Sequence, residues 1–214
     1  MHITHLGHAC LLVETAQTRV LIDPGTYSSG YQDLTDLDAV LVTHQHPDHV
    51  DADALAPLLA ANTAAVLIAE PETVGVVEVD DAIAFAPGDS RAVGDLTLSA
   101  VGGEHARNHD LIPPLGNVGL LIAETGGPTL FHPGDSYADA PASVDVLALP
   151  LNAPWTRMSE TLAFVRAVSA GIVVPIHDGL LNADGRATYL MHVDKFGPAE
   201  SEMVDLSDGT AYAV

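Results

Sequence analysis

An α/β fold is what this chain predicts, and three observations carry the prediction. Short runs rich in Val, Ile and Leu alternate with longer stretches whose apolar residues recur at helical spacing. Gly, Pro, Asn and Asp punctuate the boundaries between them. Apolar residues make up 48% of the 214, ample for one packed core, while aromatics are only 5%, so the interior is expected to be Ala, Val, Leu and Ile. One domain spanning 1–214 is expected, without an internal repeat or linker.

Residues 1–22 read as three short strands, 3–6, 10–14 and 19–22, parted by Gly7 and by the polar turn 15–18. Asp23-Pro24-Gly25 closes the third strand as a sharp turn, and the polar stretch 26–36, with Tyr27 and Tyr31, is a loop. Val40-Leu41-Val42 is a strand. Residues 52–61 form a helix with Leu55, Leu58 and Leu59 on one face, which Pro57 shortens or kinks. A strand at 66–69 and a short helix at 71–77 follow. Residues 82–101 alternate as a meander of three strands, broken at Pro87-Gly88 and Gly94-Asp95. Residues 110–117, around Ile112-Pro113-Pro114, form a loop. Segments 117–124 and 129–132 pair antiparallel across Gly126-Gly127. The apolar strands 144–149 and 172–176 flank a helix over 158–170 with Leu162, Val165 and Val168 on one face. A helix over 185–195 and one or two closing strands end the chain.

Potential chemistry concentrates in AVLVTHQHPDHV, residues 39–50, where His44, His46, Asp48 and His49 follow a strand directly. Alternation lets His44 and His46 point the same way from an extended segment. Pro47 biases the chain before it away from helix and is suited to open the next one. Asp48 and His49 then lie on the first turn beyond the strand and aim elsewhere, so one segment can serve two adjacent metal ions. A merely solvated turn has no use for this density of ligands. Other strand ends repeat the theme: His105 follows Gly102-Gly103, with His109 as the competing candidate; Asp135 follows His132-Pro133-Gly134; His177 follows the strand 172–176. His132 reads as a packed neighbour. His8, in Leu6-Gly7-His8-Ala9, reads equally as an exposed turn residue or as part of a pocket.

The 39–50 run resembles the H-x-H-x-D-H signature of the metallo-β-lactamase fold superfamily, matching it at every specified position. The Gly7-His8 pair resembles the opening of the branch with phosphodiesterase-like and lactonase-like members. The resemblance implies a four-layered α/β/β/α sandwich of the metallo-β-lactamase type. It also implies two divalent metal ions, one held by His44, His46 and His105, the other by Asp48, His49 and His177, with Asp135 bridging. Asp48 and Asp135 are then the catalytic carboxylates. Asp23 would support the ligand segment by hydrogen bonding rather than by coordination. His8, His109, Arg107 and Asn152 are expected around the pocket. Imidazole and carboxylate donors suit zinc first, with manganese or iron as alternatives.

Charge counting then gives a chemistry. Two divalent ions bring four positive charges and Asp48 and Asp135 return two negative ones, so a bridging water ionises near neutral pH and its hydroxide attacks. The metals stabilise the resulting oxyanion. The expected reaction is hydrolysis of an ester-type bond in a small molecule, such as a small phosphodiester or a lactone. A non-catalytic metal- or ligand-binding module on the same scaffold is the alternative. β-Lactamase activity is disfavoured, since such enzymes of this fold often carry Cys where Asp135 stands. The 29 acidic against 7 basic residues, a formal net charge of −22, disfavour nucleic acid and anionic membranes as partners. The lone Cys10 excludes an internal disulfide and a cysteine-based zinc site. No basic segment followed by a long apolar run opens the chain and no run is long enough to span a membrane, so a cytoplasmic protein is expected. A small-molecule substrate is the one partner indicated, and no feature sets an oligomeric state.

Overall fold

Two seven-stranded sheets lie face to face in the computed structural model, which describes residues 1–214. The first sheet takes its strands from the first half of the chain: β1 (His2–His5), β2 (Leu11–Glu14), β3 (Arg19–Ile22), β4 (Ala39–Val42), β5 (Val66–Ala69) and β6 (Ile83–Ala84). The second holds β7 (Ser90–Val93), β8 (Leu96–Glu104), β9 (Gly116–Glu124), β10 (Thr129–His132), β11 (Val146–Pro150), β12 (Ile172–Ile176) and β13 (Glu202–Met203). The last strand, β14 (Tyr212–Ala213), returns to the first sheet beside β1, giving the orders β14-β1-β2-β3-β4-β5-β6 and β13-β12-β11-β10-β9-β8-β7. Each sheet is antiparallel at one end and parallel at the other.

The period-two pattern of the strands explains the layering. In β4, Ala39 and Leu41 enter the core between the sheets, while Val40 and Val42 face outward beneath a helix. The inter-sheet core joins Ile22, Leu41 and Ile68 of one sheet to Leu98, Leu120 and Val174 of the other. Helix α1 (Ala52–Ala61) buries Leu55 and Leu58 on the outside of the first sheet, and α2 (Pro71–Val77) buries Val77 in the same cluster. Helices α3 (Met158–Val168) and α4 (Ala183–Phe196) cover the second sheet through Phe164, Val165, Val168 and Val193. The result is an α/β/β/α sandwich. Burying each large aliphatic side chain contributes about 1.5–3 kcal/mol, so the doubly covered strands are the stable frame on which the loops at their ends are held.

Several expectations require correction. Residues 82–101 are not a three-stranded meander: β6 pairs parallel to β5 in the first sheet, and the chain then crosses to the second sheet, where β7 and β8 form a hairpin. Pro87 and Gly88 sit at that crossing, so the break they signal is a change of sheet and not a turn within one. Strand β8 continues through Gly102 and Gly103 to Glu104, held by pairing with β9. Helix α1 runs its full expected length with Pro57 inside it, and Asp51 caps its start by accepting from the amides of Asp53 and Ala54. α3 ends earlier than expected, at a left-handed Ser169, and its buried face is Thr161, Phe164, Val165 and Val168, with Leu162 at the margin. No helix is long and apolar enough to cross a membrane.

Candidate metal centre

The carboxyl-end loops of β3, β4, β8, β10 and β12 meet at one edge of the sandwich, the usual place for a site on sheets of this kind. They deliver Asp23, the segment His44 to His49, His105, Asp135 and His177. Two sets of side chains gather there, His44, His46, His105 and Asp135 in one and His8, Asp48, His49 and His177 in the other; within each set the potential ligand atoms lie within 4.8 Å of one another. His44 and His49, five residues apart, thus face different sets, as the turn after the strand requires.

The hydrogen bonds around the rings fix which nitrogen is free. His49 donates through Nδ1 to Asp23 Oδ2 at 2.6 Å, His105 through Nδ1 to the Ala106 carbonyl at 2.6 Å, and His177 through Nδ1 to the Asn152 carbonyl at 2.7 Å. His44 Nδ1 lies 3.0 Å from the Thr43 hydroxyl, which itself donates to Asp23 Oδ2 at 2.7 Å, so His44 too gives its proton to an oxygen. Each of these four imidazoles therefore turns Nε2 toward the cluster. This is the arrangement by which proteins set the tautomer of a metal-binding histidine. The Nε2 atoms of His49, His105 and His177, with Asp135 Oδ1, are buried and have no hydrogen-bond partner. Buried polar atoms are rarely left so, and several converging on one space make it a candidate ligand position.

Asp23, fully buried and at φ 47°, also accepts from the Thr43 amide at 2.8 Å, so one carboxylate ties β3 to the start of the ligand segment. Asp135 stands between the two sets. Its Oδ1 is 3.1 Å from Nε2 of both His49 and His177, and its Oδ2 is 3.4 Å from His105 Nε2. The backbone amide of Asp135 donates to Asn117 Oδ1 at 2.9 Å, which aims the turn. Gly134 makes that turn possible: it sits at φ 60°, and a Cβ there would lie 2.2 Å from Asn117 Oδ1. Gly134→Ala is therefore expected to cost about 1–3 kcal/mol, read as a lowered midpoint in denaturant, and to weaken metal uptake through the displaced Asp135.

Burial holds the pKa of His44 well below the ordinary histidine value and that of His46 below it, with the neighbouring histidines adding to the effect. Burial would likewise push His49 down, but the adjoining Asp135 and Asp23 outweigh it and hold its pKa well above the usual value. For Asp48, burial acts upward and is outweighed by the hydrogen bond from His8 and the nearby His49, bringing it down to about 2. Asp135 is held well below the carboxylate range despite its burial, by His49, His177 and His105.

A cleft of about 250 Å³ opens onto the cluster, lined by His46, Asp48, His105, Asp135 and His177 and by Tyr27, Trp155 and Leu180. A neighbouring hollow of about 450 Å³ shares His105 and Trp155 and includes Arg107, Tyr137 and Glu160. Arg107 is thus at the mouth, exposed, while Asn152 lies beneath the cleft, its carbonyl on His177 and its amide donating to the Tyr189 hydroxyl at 2.8 Å. His109 is not in the pocket. It is exposed and accepts from the Leu111 amide at 3.1 Å, because the chain turns away after His105, the first residue beyond β8. His132 packs inside, donating from Nε2 to the Ala9 carbonyl at 2.9 Å. His8 is buried against Asp48 rather than on the cleft wall. Trp155 was not anticipated as a site residue: its indole N–H donates to Asp135 Oδ2 at 2.8 Å. A lone tryptophan just past a buried strand in Pro150–Trp155 was the signal available.

A profile of the β-lactamase superfamily domain matches residues 2–177. Protein Rv0786c of Mycobacterium tuberculosis is 44% identical over 190 residues, covering 88% of this chain and 89% of that protein. A UPF0173 metal-dependent hydrolase of Azorhizobium caulinodans is 32% identical over 202 residues, covering 84% and 86%. Among solved structures, the metallo-β-lactamase fold protein YhfI from Bacillus subtilis superposes with a TM-score of 0.74 at 16% identity, over 99% of this chain and 98% of that one, a likeness of fold. With the profile matching residues 2–177 and the H-x-H-x-D-H segment and the strand-end candidate ligands assembled on such a sandwich, this chain belongs to the metallo-β-lactamase superfamily.

Proposed function

We propose that the chain is a metal-dependent hydrolase that holds two divalent metal ions, zinc by preference, and cleaves an ester-type bond in a small molecule. The observation that carries this reading is the set of buried, unpartnered nitrogens and carboxylate oxygen converging between Asp48, Asp135 and the histidines. Imidazole nitrogens and carboxylate oxygens facing one space in this way fit metal ions. His44, His46 and His105 would hold one ion, Asp48, His49 and His177 the other, and Asp135, with one oxygen toward each set, would serve both. Manganese and iron suit the same donors. Bound ions supply Lewis acidity, which acidifies water near neutral pH and stabilises negative charge developing on the attacked group.

The residues of the chain do the rest. Asp48, ionised and lining the cleft, would hold the second ion and orient the attacking water by accepting a hydrogen bond from it. Asp23, Thr43 and the Asn152 carbonyl keep Nε2 of their imidazoles directed inward. Tyr27, Trp155 and Leu180 give the cleft an apolar wall, which suits a substrate of small size with an uncharged arm. The formal net charge of −22 works against long polyanions at the mouth. A small phosphodiester, a lactone or a related ester meets both conditions.

The test is a panel of chromogenic phosphodiesters and lactones assayed with purified protein, after chelation, and after zinc is restored. The reading expects turnover that chelation removes and zinc returns; turnover indifferent to chelation would contradict it. A second expectation concerns protons. Because Asp23 and Asp135 keep His49 protonated above the ordinary histidine range, an ion entering its set displaces that proton. About one proton should be released per chain on filling this set at pH 7, and apparent affinity should fall about tenfold per pH unit as pH drops below the His49 pKa. Calorimetry in buffers of different ionisation enthalpy measures both.

A further inference from the structure

We propose that His8 is the positioning residue of the second metal set, orienting the Asp48 carboxylate through Nε2–H and His177 through its own backbone carbonyl, and that it does not coordinate. The inference rests on the two-metal reading above. His8 Nε2 lies 3.0 Å from Asp48 Oδ2, close enough to the other ligand atoms of its set to pass for one of them. Its other nitrogen decides the matter. Nδ1 accepts a hydrogen bond from the Gly179 amide at 3.1 Å, so Nδ1 presents a lone pair and the ring proton is on Nε2. A ring carrying that proton has no lone pair to give an ion at Nε2. His105 and His177 show the opposite tautomer, with Nδ1 donating to oxygen and Nε2 turned to the cluster.

The surroundings hold His8 in this role. It is buried and sits at φ 50°, a left-handed conformation that a non-glycine residue rarely adopts. Its carbonyl accepts both from the His177 amide at 2.7 Å and from His5 Nε2 at 2.8 Å. Gly179 closes on the ring so nearly that a Cβ there would lie 2.9 Å from His8 Nδ1. Tyr27 packs edge-on against the ring, with centroids 5.2 Å apart. The first hairpin thereby clasps the loop after β12 and the Asp48 turn together.

The test compares zinc titrations of chelator-stripped wild type, His8→Gln and His8→Ala, with cobalt(II) spectra of the first two. Glutamine has an N–H donor for Asp48 and an oxygen acceptor for Gly179, so it reproduces the hydrogen bonds of this tautomer without the imidazole. His8→Gln is expected to keep two zinc ions, with second-ion affinity within about threefold of wild type, whereas His8→Ala weakens that ion about 10–100-fold and leaves the first unchanged. The cobalt spectrum of His8→Gln is expected to match wild type, since no imidazole ligand is lost. A His8→Gln protein whose cobalt bands shift, or which loses the second ion as severely as His8→Ala, would make His8 a ligand and overturn the proposal. So would a His8→Ala protein with wild-type affinity for both ions. A wild-type chain that takes up no second ion instead overturns the two-metal reading, and this inference with it.

Discussion

Replacing Asp135 by Ala is expected to lower kcat/KM by about 10³-fold or more, the several kcal/mol that metal-ion catalysis supplies. Asp135 stands between both sets, with one oxygen 3.1 Å from His49 and His177 nitrogens and the other 3.4 Å from His105. Its loss leaves each set one carboxylate short and removes a charge that offsets the ions. Zinc content should fall together with activity, while the fold persists, because the amide of residue 135 still donates to Asn117. Kinetics and atomic spectroscopy on the same preparation, with circular dichroism as the control for folding, measure this. An Asp135→Ala protein that hydrolyses at the wild-type rate would remove the carboxylate from the mechanism.

Asp23→Ala should act mainly on stability. The Asp23 carboxylate is wholly buried and accepts from the Thr43 amide, the Thr43 hydroxyl and His49 Nδ1. Its removal strands three buried donors, and a buried, protonated His49 loses a counter-charge. Breaking one side of a buried pair costs about 3–5 kcal/mol, which for a chain of this size corresponds to a fall in Tm of roughly 10 °C. Asp23→Asn retains the shape and one acceptor, so about half of that loss is expected. Thermal unfolding of the metal-stripped proteins reads the effect without a contribution from bound ions.

What could be read from sequence, and what could not, follows the range of the interactions concerned. In β4 the alternation of Ala39, Val40, Leu41 and Val42 between two cores is a local pattern, and the candidate ligands from His44 to His49 are packed into the turn that follows. Both were legible because neighbours in sequence determine them. Gly-Asp at 134–135 was legible for a similar reason, since the glycine marks a turn that only it can make. Residues 82–101 misled because alternation establishes a strand but not its sheet: Ile83 pairs with Ile68, whereas Arg91 pairs with Leu98. His109 was a candidate on spacing alone, and the reach of β8 to Glu104 put it beyond a turn, outside the pocket. His8 and Trp155 could not be assigned from local sequence. His8 meets Asp48 forty residues away and Gly179 at a separation of 171, and Trp155 meets Asp135 at a separation of 20. Contacts of that length leave no periodic trace, and only the closing of the two sheets on each other reveals them.

The most direct measurement of the account is a zinc titration of chelator-stripped protein, followed by calorimetry and checked by metal analysis after gel filtration. Two ions per chain, with proton release accompanying the ion that reaches His49, are the predicted result. A folded chain that retains no zinc at saturating concentration would contradict the assignment of His44, His46, Asp48, His49, His105, Asp135 and His177 to a two-metal centre.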